Sequence, residues 1–443
     1  MRKKQIIALF LVMVMAASLF VGCGGNTPEE SSTGGDAETT DYAAELYSMM
    51  PDTCLSGVFD PNALEDRTNI NKALPIEPKD PNTVVIGWTE ITQSDPWFVE
   101  TWEAAKRRCA EYGYTLYFDV ADGDLQKQSA HIDSYIARGV DVIVVDPTDV
   151  VGVAADIQRA VDAGIPVIGY GSEIYGAPVV TTITANTFED GYAVGTYTAT
   201  KYGADEQINL GIIIGTMGNS TAESRVNGLL SGLVYGRAQA QGKDITREQA
   251  IVDATKLFKD VVKTGKFDSP EYKIACLNWG EGNWTYEGGL SVAETMLSAV
   301  GDQLNLIIGE NDFQGAGAAK AVKNYGLQDQ IKIACVGNGM KAEIEMVKNG
   351  ELLATSTHSS TAFAYATIDM IHDLVEGTNT YDAENLPTLT AFDAFAITAE
   401  NVDEVWDPDP TNPFHKVPPL KIRTVPELIQ AINDGTYGGA QFK

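Results

Sequence analysis

Polar and aromatic side chains follow directly after the apolar runs of this 443-residue sequence. The set combines carboxylates, planar amides, one arginine and several indoles. It includes Trp88, Glu90, Asp95, Trp97, Phe98, Asp146, Tyr170, Asn219, Arg225, Trp284, Glu310, Asn311, Asn338 and His358. Amides and carboxylates pair with hydroxyl groups, an arginine donates as a fork, and aromatic rings pack on C–H faces. This mixture predicts a binding site for a sugar or polyol.

No catalytic motif accompanies these residues. The sequence contains neither a G-x-S-x-G nucleophile elbow nor a phosphate-binding P-loop, and its four histidines lack metal-ligand spacing. We therefore predict no catalytic residue, no metal and no cofactor. A secreted glycan hydrolase would instead require two carboxylates about 5 to 9 Å apart in a cleft.

The elements that must position these residues alternate regularly in type. Four apolar runs alternate with helical stretches between residues 84 and 170, and five more runs follow between 209 and 358. Because the runs are continuously apolar, they predict strands covered on both faces, as in parallel α/β sheets. The pattern indicates two α/β units that separate near 180–208, with a charged helical insertion at 237–271. Ligands lie beyond the carboxyl ends of such strands, so two facing sheets predict a cleft between lobes.

The segment ITQSDPWFVETW places three aromatic residues around an Asp-Pro turn. Phe98, Trp102, Ala105 and Cys109 fall at helical spacing, which predicts one buried stripe with Trp102 in the core. Trp97 lies off this stripe, so we predict that it contacts the ligand. Phe98 stands at the border between the two roles.

The first 22 residues have the pattern of a secretory signal peptide, with a basic start and an apolar stretch that ends in small residues. Phe20-Val21-Gly22-Cys23 resembles a bacterial lipobox, which implies lipidation of the Cys23 thiol and a lipid anchor to the membrane; an ordinary secretory signal is the alternative. Residues 23–80 are predicted to be an acidic linker, because its first half cannot bury enough apolar surface to offset chain entropy.

The charge and length of the chain exclude some classes of protein. A net charge of −30 argues against nucleic acid as a partner, because binding phosphates requires the opposite sign. The body exceeds what one core usually holds, so we expect two lobes. Cys54, Cys109, Cys276 and Cys335 show no metal or redox spacing, and Cys276 and Cys335 are predicted to be buried as small apolar residues.

Several segments together resemble the sugar-type periplasmic binding proteins of ABC transporters, the type I family of ribose- and galactose-binding-like receptors. The resemblance covers about residues 82 to 406 and rests on D-P-W-F, GVDVIVVDPTD, AGIPVIGYGS, GENDFQGAGAAKAV, VGNGMKAEIEMVKNGELLAT and AITAENVDEV. It implies an α/β fold of two Rossmann-like lobes with parallel sheets, joined by a three-strand hinge. The implied boundaries are 81–187 plus 359–395 for the N-terminal lobe, 188–358 plus 396–406 for the C-terminal lobe, and 407–443 for a C-terminal extension.

The resemblance also implies a set of ligand-binding residues. Asp95, Trp97 and Phe98 match the family's first binding loop. Arg225 falls near its second-lobe arginine, Trp284 on its second stacking aromatic, Asn311 on the N-D after its third strand, and His358 in the hinge. We add Tyr170, Asn219 and Asn338 from their positions after strands.

Two departures from the family bear on the ligand. Gly171-Ser172 stands where many members have Asp-Arg, and Asn338-Gly339 where many have Phe-Asp. Both argue against ribose or galactose itself. They predict a site with fewer carboxylates, suited to another pentose, a polyol or a less hydroxylated ligand.

These expectations combine into one functional prediction. The protein is expected to be a monomeric, extracytoplasmic, lipid-anchored receptor that delivers a sugar or polyol to an ABC permease in the membrane. The alternatives are a receptor that feeds a chemosensory or two-component partner and, from another class, a secreted glycan hydrolase.

Overall fold

The computed structural model describes residues 40–49, 53–55, 73–74, 77, 79–172, 174, 176–377, 389–416 and 430. The predicted signal peptide, Cys23 and most of the predicted C-terminal extension lie outside these residues. In the part of the chain that is described, no helix is long and apolar enough to cross a membrane.

The first lobe contains a six-stranded, fully parallel sheet in the order β12-β5-β4-β3-β1-β2. Its strands are β1 (Val85–Glu90), β2 (Thr115–Val120), β3 (Val142–Val145), β4 (Val167–Tyr170), β5 (Thr182–Ala185) and β12 (Leu389–Phe392). Its helices are α2 (Pro96–Tyr112), α3 (Leu125–Arg138), α4 (Ala154–Asp162) and α11 (Ser360–Glu376). The inner strands β3 and β4 are buried throughout, whereas β2 alternates exposed and half-buried residues because it forms the sheet edge.

The second lobe contains a seven-stranded sheet in the order β13-β11-β10-β9-β6-β8-β7, with antiparallel strands only at its two edges. Its strands are β6 (Ile208–Ile214), β7 (Phe267–Ser269), β8 (Ile274–Glu281), β9 (Leu306–Gly309), β10 (Lys332–Cys335), β11 (Ala354–Thr355) and β13 (Ile397–Thr398). Its helices are α5 (Thr187–Ala199), α6 (Ser220–Ala240), α7 (Arg247–Thr264), α8 (Tyr286–Val300), α9 (Asp312–Asn324), α10 (Lys341–Lys348) and α12 (Val402–Val405). Together the two sheets confirm the predicted fold class.

The chain crosses between the lobes three times. The crossings lie at Asn186, at Ser356–Ser359 and at 393–396, each between an element of one lobe and an element of the other. The first crossing lies within the predicted separation near 180–208, most of which β5 and α5 occupy. Both elements escaped prediction because β5 is rich in threonine and α5 is buried on nearly all sides, which removes the amphipathic period.

Part of the predicted linker is packed on the second lobe. Helix α1 (Tyr42–Met49) and the short 3-10 turn Thr53–Leu55 contact α7 and α6. Leu46, Cys54 and Leu55 are buried in the apolar core of that lobe. Burial of these few apolar side chains stabilises the packing of this stretch on the lobe, despite the acidic composition around it. Cys109, Cys276 and Cys335 are likewise buried free thiols, as predicted.

The buried face of α2 differs from the predicted stripe. Trp97 and Thr101 are buried together with Ala104, Ala105 and Cys109, whereas Trp102 is only half-buried. The Trp102 ring lies at the sheet edge, 4.7 Å from Phe118 between ring centroids, with the Lys106 ammonium above it. The prediction of Trp102 as core was therefore wrong, as was the prediction that Trp97 lies off the buried face. Helix α2 begins at Pro96, and its first turn directs Trp97 inward.

We expect Trp97→Ala to lower the free energy of unfolding by about 3–5 kcal/mol, because it truncates a buried ring. Trp102→Ala should cost roughly 1–2 kcal/mol, since its ring keeps contact with water. Urea denaturation of the two variants beside wild type measures this order. A larger loss for Trp102→Ala would contradict the burial pattern of α2.

Candidate functional site

Trp97 joins the first lobe to the hinge. Its indole N–H donates a hydrogen bond to the carbonyl oxygen of His358 at 2.7 Å, and the two rings stack with centroids 5.4 Å apart. The indole is 7% exposed. Ligand contact by Trp97 stays a prediction, but the residue also has a structural role, because it holds the first lobe to the Ser356–Ser359 crossing.

Three other predicted residues of the first lobe hold Trp97 in place. The Asp95 side chain caps α2 by accepting a hydrogen bond from the Trp97 backbone N–H at 2.8 Å. Phe98 meets the indole edge-to-face at 5.0 Å between centroids, and fully buried Tyr170 lies beneath it at 5.9 Å. The Tyr170 hydroxyl is 3.0 Å from Thr101 Oγ1, so its polar end is already paired.

Arg225 is a buried cation of the second lobe. Its side chain lies on α6, it is 3% exposed, and Nη1 donates to Glu310 Oε1 at 2.9 Å. Its Nε and Nη2 have no hydrogen-bond partner among the described residues. A guanidinium with unpartnered donors away from water is costly, so a ligand that accepts these hydrogen bonds would be strongly favoured.

Glu310, Trp284 and Asn311 form one side of the Arg225 site. Glu310 follows β9 and is fully buried, and its Oε2 has no partner in the described chain. Burial raises the pKa of Glu310, although Arg225 and, to a smaller extent, the Trp284 indole oppose the rise. Asn311 Nδ2 donates to the Trp284 carbonyl at 3.0 Å, and Asn311 Oδ1 caps α9. A Cβ on Gly215 would lie 2.2 Å from Trp284 Nε1, so glycine there makes room for the indole against the end of β6.

Asp190 and His358 lie on the other side of Arg225. Asp190 is fully buried in the first turn of α5; Oδ1 accepts a hydrogen bond from Thr357 Oγ1 at 3.2 Å, and Oδ2 has no partner among the residues described. Burial raises the pKa of Asp190 to about 7, although Arg225 opposes the rise. Burial, with Arg225 nearby, lowers the pKa of His358 well below its usual value, so its imidazole is neutral and offers an unpartnered Nδ1.

Asn338 lies between two glycines in a loop that follows β10. Gly337, Asn338 and Gly339 have φ values of 104°, 27° and 67°. A non-glycine residue in this region costs on the order of 1 kcal/mol or more. The loop is therefore held by its surroundings: the Asn338 carbonyl accepts a hydrogen bond from the His358 N–H, and the Arg225 guanidinium lies against Gly337.

A pair of carboxyl groups lies at the strand ends of the first lobe. Glu90 ends β1 and Asp146 follows β3; both are buried. Burial, and then the neighbouring Asp146, raise the pKa of Glu90 well above its usual value, and burial raises the pKa of Asp146 to about 6. Such a pair holds a shared proton, so it offers one donor and several acceptors to hydroxyl groups. A Cβ on Gly171 would lie 3.3 Å from Asp146 Oδ1, so a carboxyl stands beside Gly171 after all.

The structure brings several predicted residues together and gives others a supporting role. Trp97, His358 and Arg225 form a continuous group, with Asn338 beside it. Asn219 caps α6 through the Ala222 N–H at 3.0 Å, so we assign it a structural role alongside its predicted one.

Four buried carboxyl groups accompany these residues: Glu90, Asp146 and Glu310, which belong to the polar groups predicted after strands, and Asp190, which was not predicted. That the site holds fewer carboxylates than other members of the family stays a prediction. The sequence signal for the first three is their position at the ends of apolar strands. Asp190 gave none, because α5 itself escaped prediction. Within the described ranges, no group of three histidine, cysteine, aspartate or glutamate residues could hold a metal ion.

Comparison with known proteins agrees with this architecture. A family model described as a periplasmic binding protein domain matches residues 86–379. The xylitol-binding protein of Mycolicibacterium smegmatis is 24% identical over 289 residues, which cover 65% of this chain and 70% of the relative. The ribose import binding protein of Bacillus subtilis is 21% identical over 292 residues, covering 66% and 82%.

Two solved structures share the fold. One is an ABC transporter periplasmic solute binding protein from Actinobacillus succinogenes with bound D-allose, at a TM-score of 0.57 and 21% identity over 72% of this chain and 99% of that one. The other is an ABC transporter solute binding protein from Bacillus halodurans with bound myo-inositol, at a TM-score of 0.56 and 20% identity over 73% and 98%.

We expect Asp190 to make stability fall as pH rises. An unfolded aspartate has a pKa near 3.9, so the folded chain binds this proton more tightly and loses that advantage between about pH 4 and pH 7. From pH 5 to pH 8 the free energy of unfolding should therefore fall further in wild type than in Asp190→Asn, by on the order of 2 kcal/mol. Urea denaturation at both pH values measures the difference.

Asp149→Asn is the matched control. Asp149 is exposed, and backbone hydrogen bonds from Gly152 and Val151 lower its pKa, so it does not titrate in this range. The free energy of unfolding of Asp149→Asn should change with pH by the same amount as that of wild type. Equal changes in wild type and Asp190→Asn would show that Asp190 does not hold this proton.

Proposed function

Because this chain belongs to the periplasmic binding protein family, we propose that it is a receptor for a neutral, hydroxyl-rich small molecule, which it delivers to an ABC permease. The family implies an extracytoplasmic location, and its members bind solutes rather than catalyse reactions. The lipobox-like segment that ends at Cys23 supports a lipid anchor in the membrane, with the acidic residues before α1 as the tether.

One observation carries the proposed binding site: the donors of Arg225 are only partly used. Arg237 is also buried in the second lobe. Its nitrogens donate to backbone carbonyls that include those of Gly203, Glu206 and Tyr272. Arg225 instead pairs with Glu310 and leaves Nε and Nη2 unpartnered. A buried guanidinium of this kind is suited to a ligand that supplies oxygen acceptors.

The charges around the cleft select the ligand class. Four buried carboxyl groups, Glu90, Asp146, Asp190 and Glu310, outnumber the one guanidinium with unpartnered donors, that of Arg225. A ligand with its own carboxylate or phosphate would add a negative charge to an already acid-rich, poorly hydrated region. Hydroxyl groups both donate and accept, and therefore suit protonated and ionised carboxyls alike. We therefore favour sugars and polyols over sugar acids and sugar phosphates.

A ligand panel tests this class. The chain from residue 24 onward, which keeps every described residue, is screened by thermal shift and calorimetry against D-ribose, D-allose, xylitol and myo-inositol. A binder stabilises the native state by mass action, so at least one should raise the melting temperature. The corresponding sugar acid of the bound ligand should bind at least about 100-fold more weakly, roughly 2.8 kcal/mol. Stabilisation by acidic sugars alone would overturn the proposal.

A pair of arginine variants tests the site. Arg225→Ala should abolish detectable binding of the stabilising sugar while the protein stays folded, because the ligand loses its main donor. Arg237→Ala should lower the melting temperature more, since it leaves several buried carbonyls unpartnered, yet the folded fraction should bind with wild-type affinity. Equal affinities of wild type and Arg225→Ala would place the ligand elsewhere.

A further inference from the structure

Residues Asn412–Lys416 form a segment that lies beyond the residues matched by the family model. We call it the C-terminal segment. Its backbone pairs with the end of the Asn338 loop: Phe414 forms an antiparallel bridge with Met340, the Lys341 N–H donates to the Pro413 carbonyl at 2.8 Å, and the His415 N–H donates to the Gly339 carbonyl at 2.9 Å.

The Asn338 loop is clamped between two side chains from distant parts of the chain. On one side, a Cβ on Gly337 would lie 2.8 Å from the Arg225 Cζ. On the other side, a Cβ on Gly339 would lie 2.6 Å from the His415 Cδ2. Both glycines have positive φ, so the loop conformation depends on what packs around it.

His415 is built into this position as a neutral ring. It is 1% exposed, and its Nδ1 is 2.6 Å from the Lys416 carbonyl, a distance that places the proton on Nδ1. Burial lowers the pKa of His415 to about 4. The His415 ring also lies close enough to His358 to influence its pKa, which puts the C-terminal segment next to the hinge crossing of the site.

Phe414 extends the contact to the first lobe. Its side chain is fully buried in the apolar cluster that contains Trp97 and Phe363, and Met340 packs at the margin of the same cluster. Residues of the second-lobe loop, the C-terminal segment and the first lobe thus share one core. Because that core includes the Trp97 indole, Phe414 and Met340 fix the end of the Asn338 loop against the first lobe.

We propose that Phe414 and His415 are positioning residues for the ligand site. They hold the Gly337–Gly339 loop so that Asn338 and Arg225 meet the ligand together, and they tie this loop to the first lobe. The backbone pairing and side-chain packing of the C-terminal segment support its hold on the loop. Its effect on affinity rests on the proposed function.

The test without ligand is hydrogen exchange of the loop. The Gly339 and Met340 N–H groups donate to Asp312 Oδ2 at 2.7 and 3.1 Å, so their exchange reports whether the loop is held. Phe414→Ala should speed exchange of both amides at least about tenfold, whereas Phe414→Leu, which keeps an apolar side chain, should restore much of the protection.

Phe258→Ala is the matched control. It truncates a buried phenylalanine of α7 that packs in the core of the second lobe, in a different apolar cluster from that of Phe414. It should leave exchange of these two amides unchanged at a temperature where all variants are folded. Equal acceleration in Phe414→Ala and Phe258→Ala, or none in Phe414→Ala, would overturn the proposal.

The test with ligand uses whichever of D-ribose, D-allose, xylitol and myo-inositol binds wild type. Phe414→Ala and His415→Ala should each raise its Kd at least about tenfold, and Phe258→Ala should not. Unchanged affinity in both segment variants would remove the positioning role. If wild type binds none of the four, the proposed ligand class fails, and the exchange experiment still decides whether the segment holds the loop.

Discussion

The burial of the Arg225 guanidinium is the constraint on which the second lobe depends. A cation removed from water needs opposite charge and acceptors close by. Glu310 supplies both from the end of β9, and Asp190 approaches from α5. That approach requires α5 and α6 to touch at their backbones, because a Cβ on Gly191 would lie 2.2 Å from the Arg225 carbonyl. Helix packing thus sets the electrostatics of the site.

The two lobes present different chemistry to the cleft. The first lobe offers the proton-sharing carboxyls Glu90 and Asp146, with Trp97 as the ring that reaches the hinge. The second lobe offers a guanidinium flanked by carboxyls. A molecule with many hydroxyl groups satisfies both lobes, because each hydroxyl donates and accepts. Hydrogen bonds made in this buried region, away from water, are stronger than those made in solvent.

Much of the fold could be read from local patterns. Asp95 and Asp124 cap the starts of α2 and α3, and Gly113 and Gly139 adopt the left-handed conformation at their ends. The continuously apolar runs likewise mark the inner strands, because these strands are covered on both faces. These signals are local, so no knowledge of the rest of the chain is needed to find them.

What the sequence alone determined was the alternation of strands and helices, the two-lobed fold and the placement of polar groups after strands. Tertiary structure decided which of those groups face one another. It buried Trp97 rather than Trp102, brought Asp190 from an unforeseen helix to Arg225, and set His415 against Gly339. These contacts join residues far apart in the chain. Their energies depend on burial and on close backbone approach, and neither quantity is encoded within a short stretch of sequence.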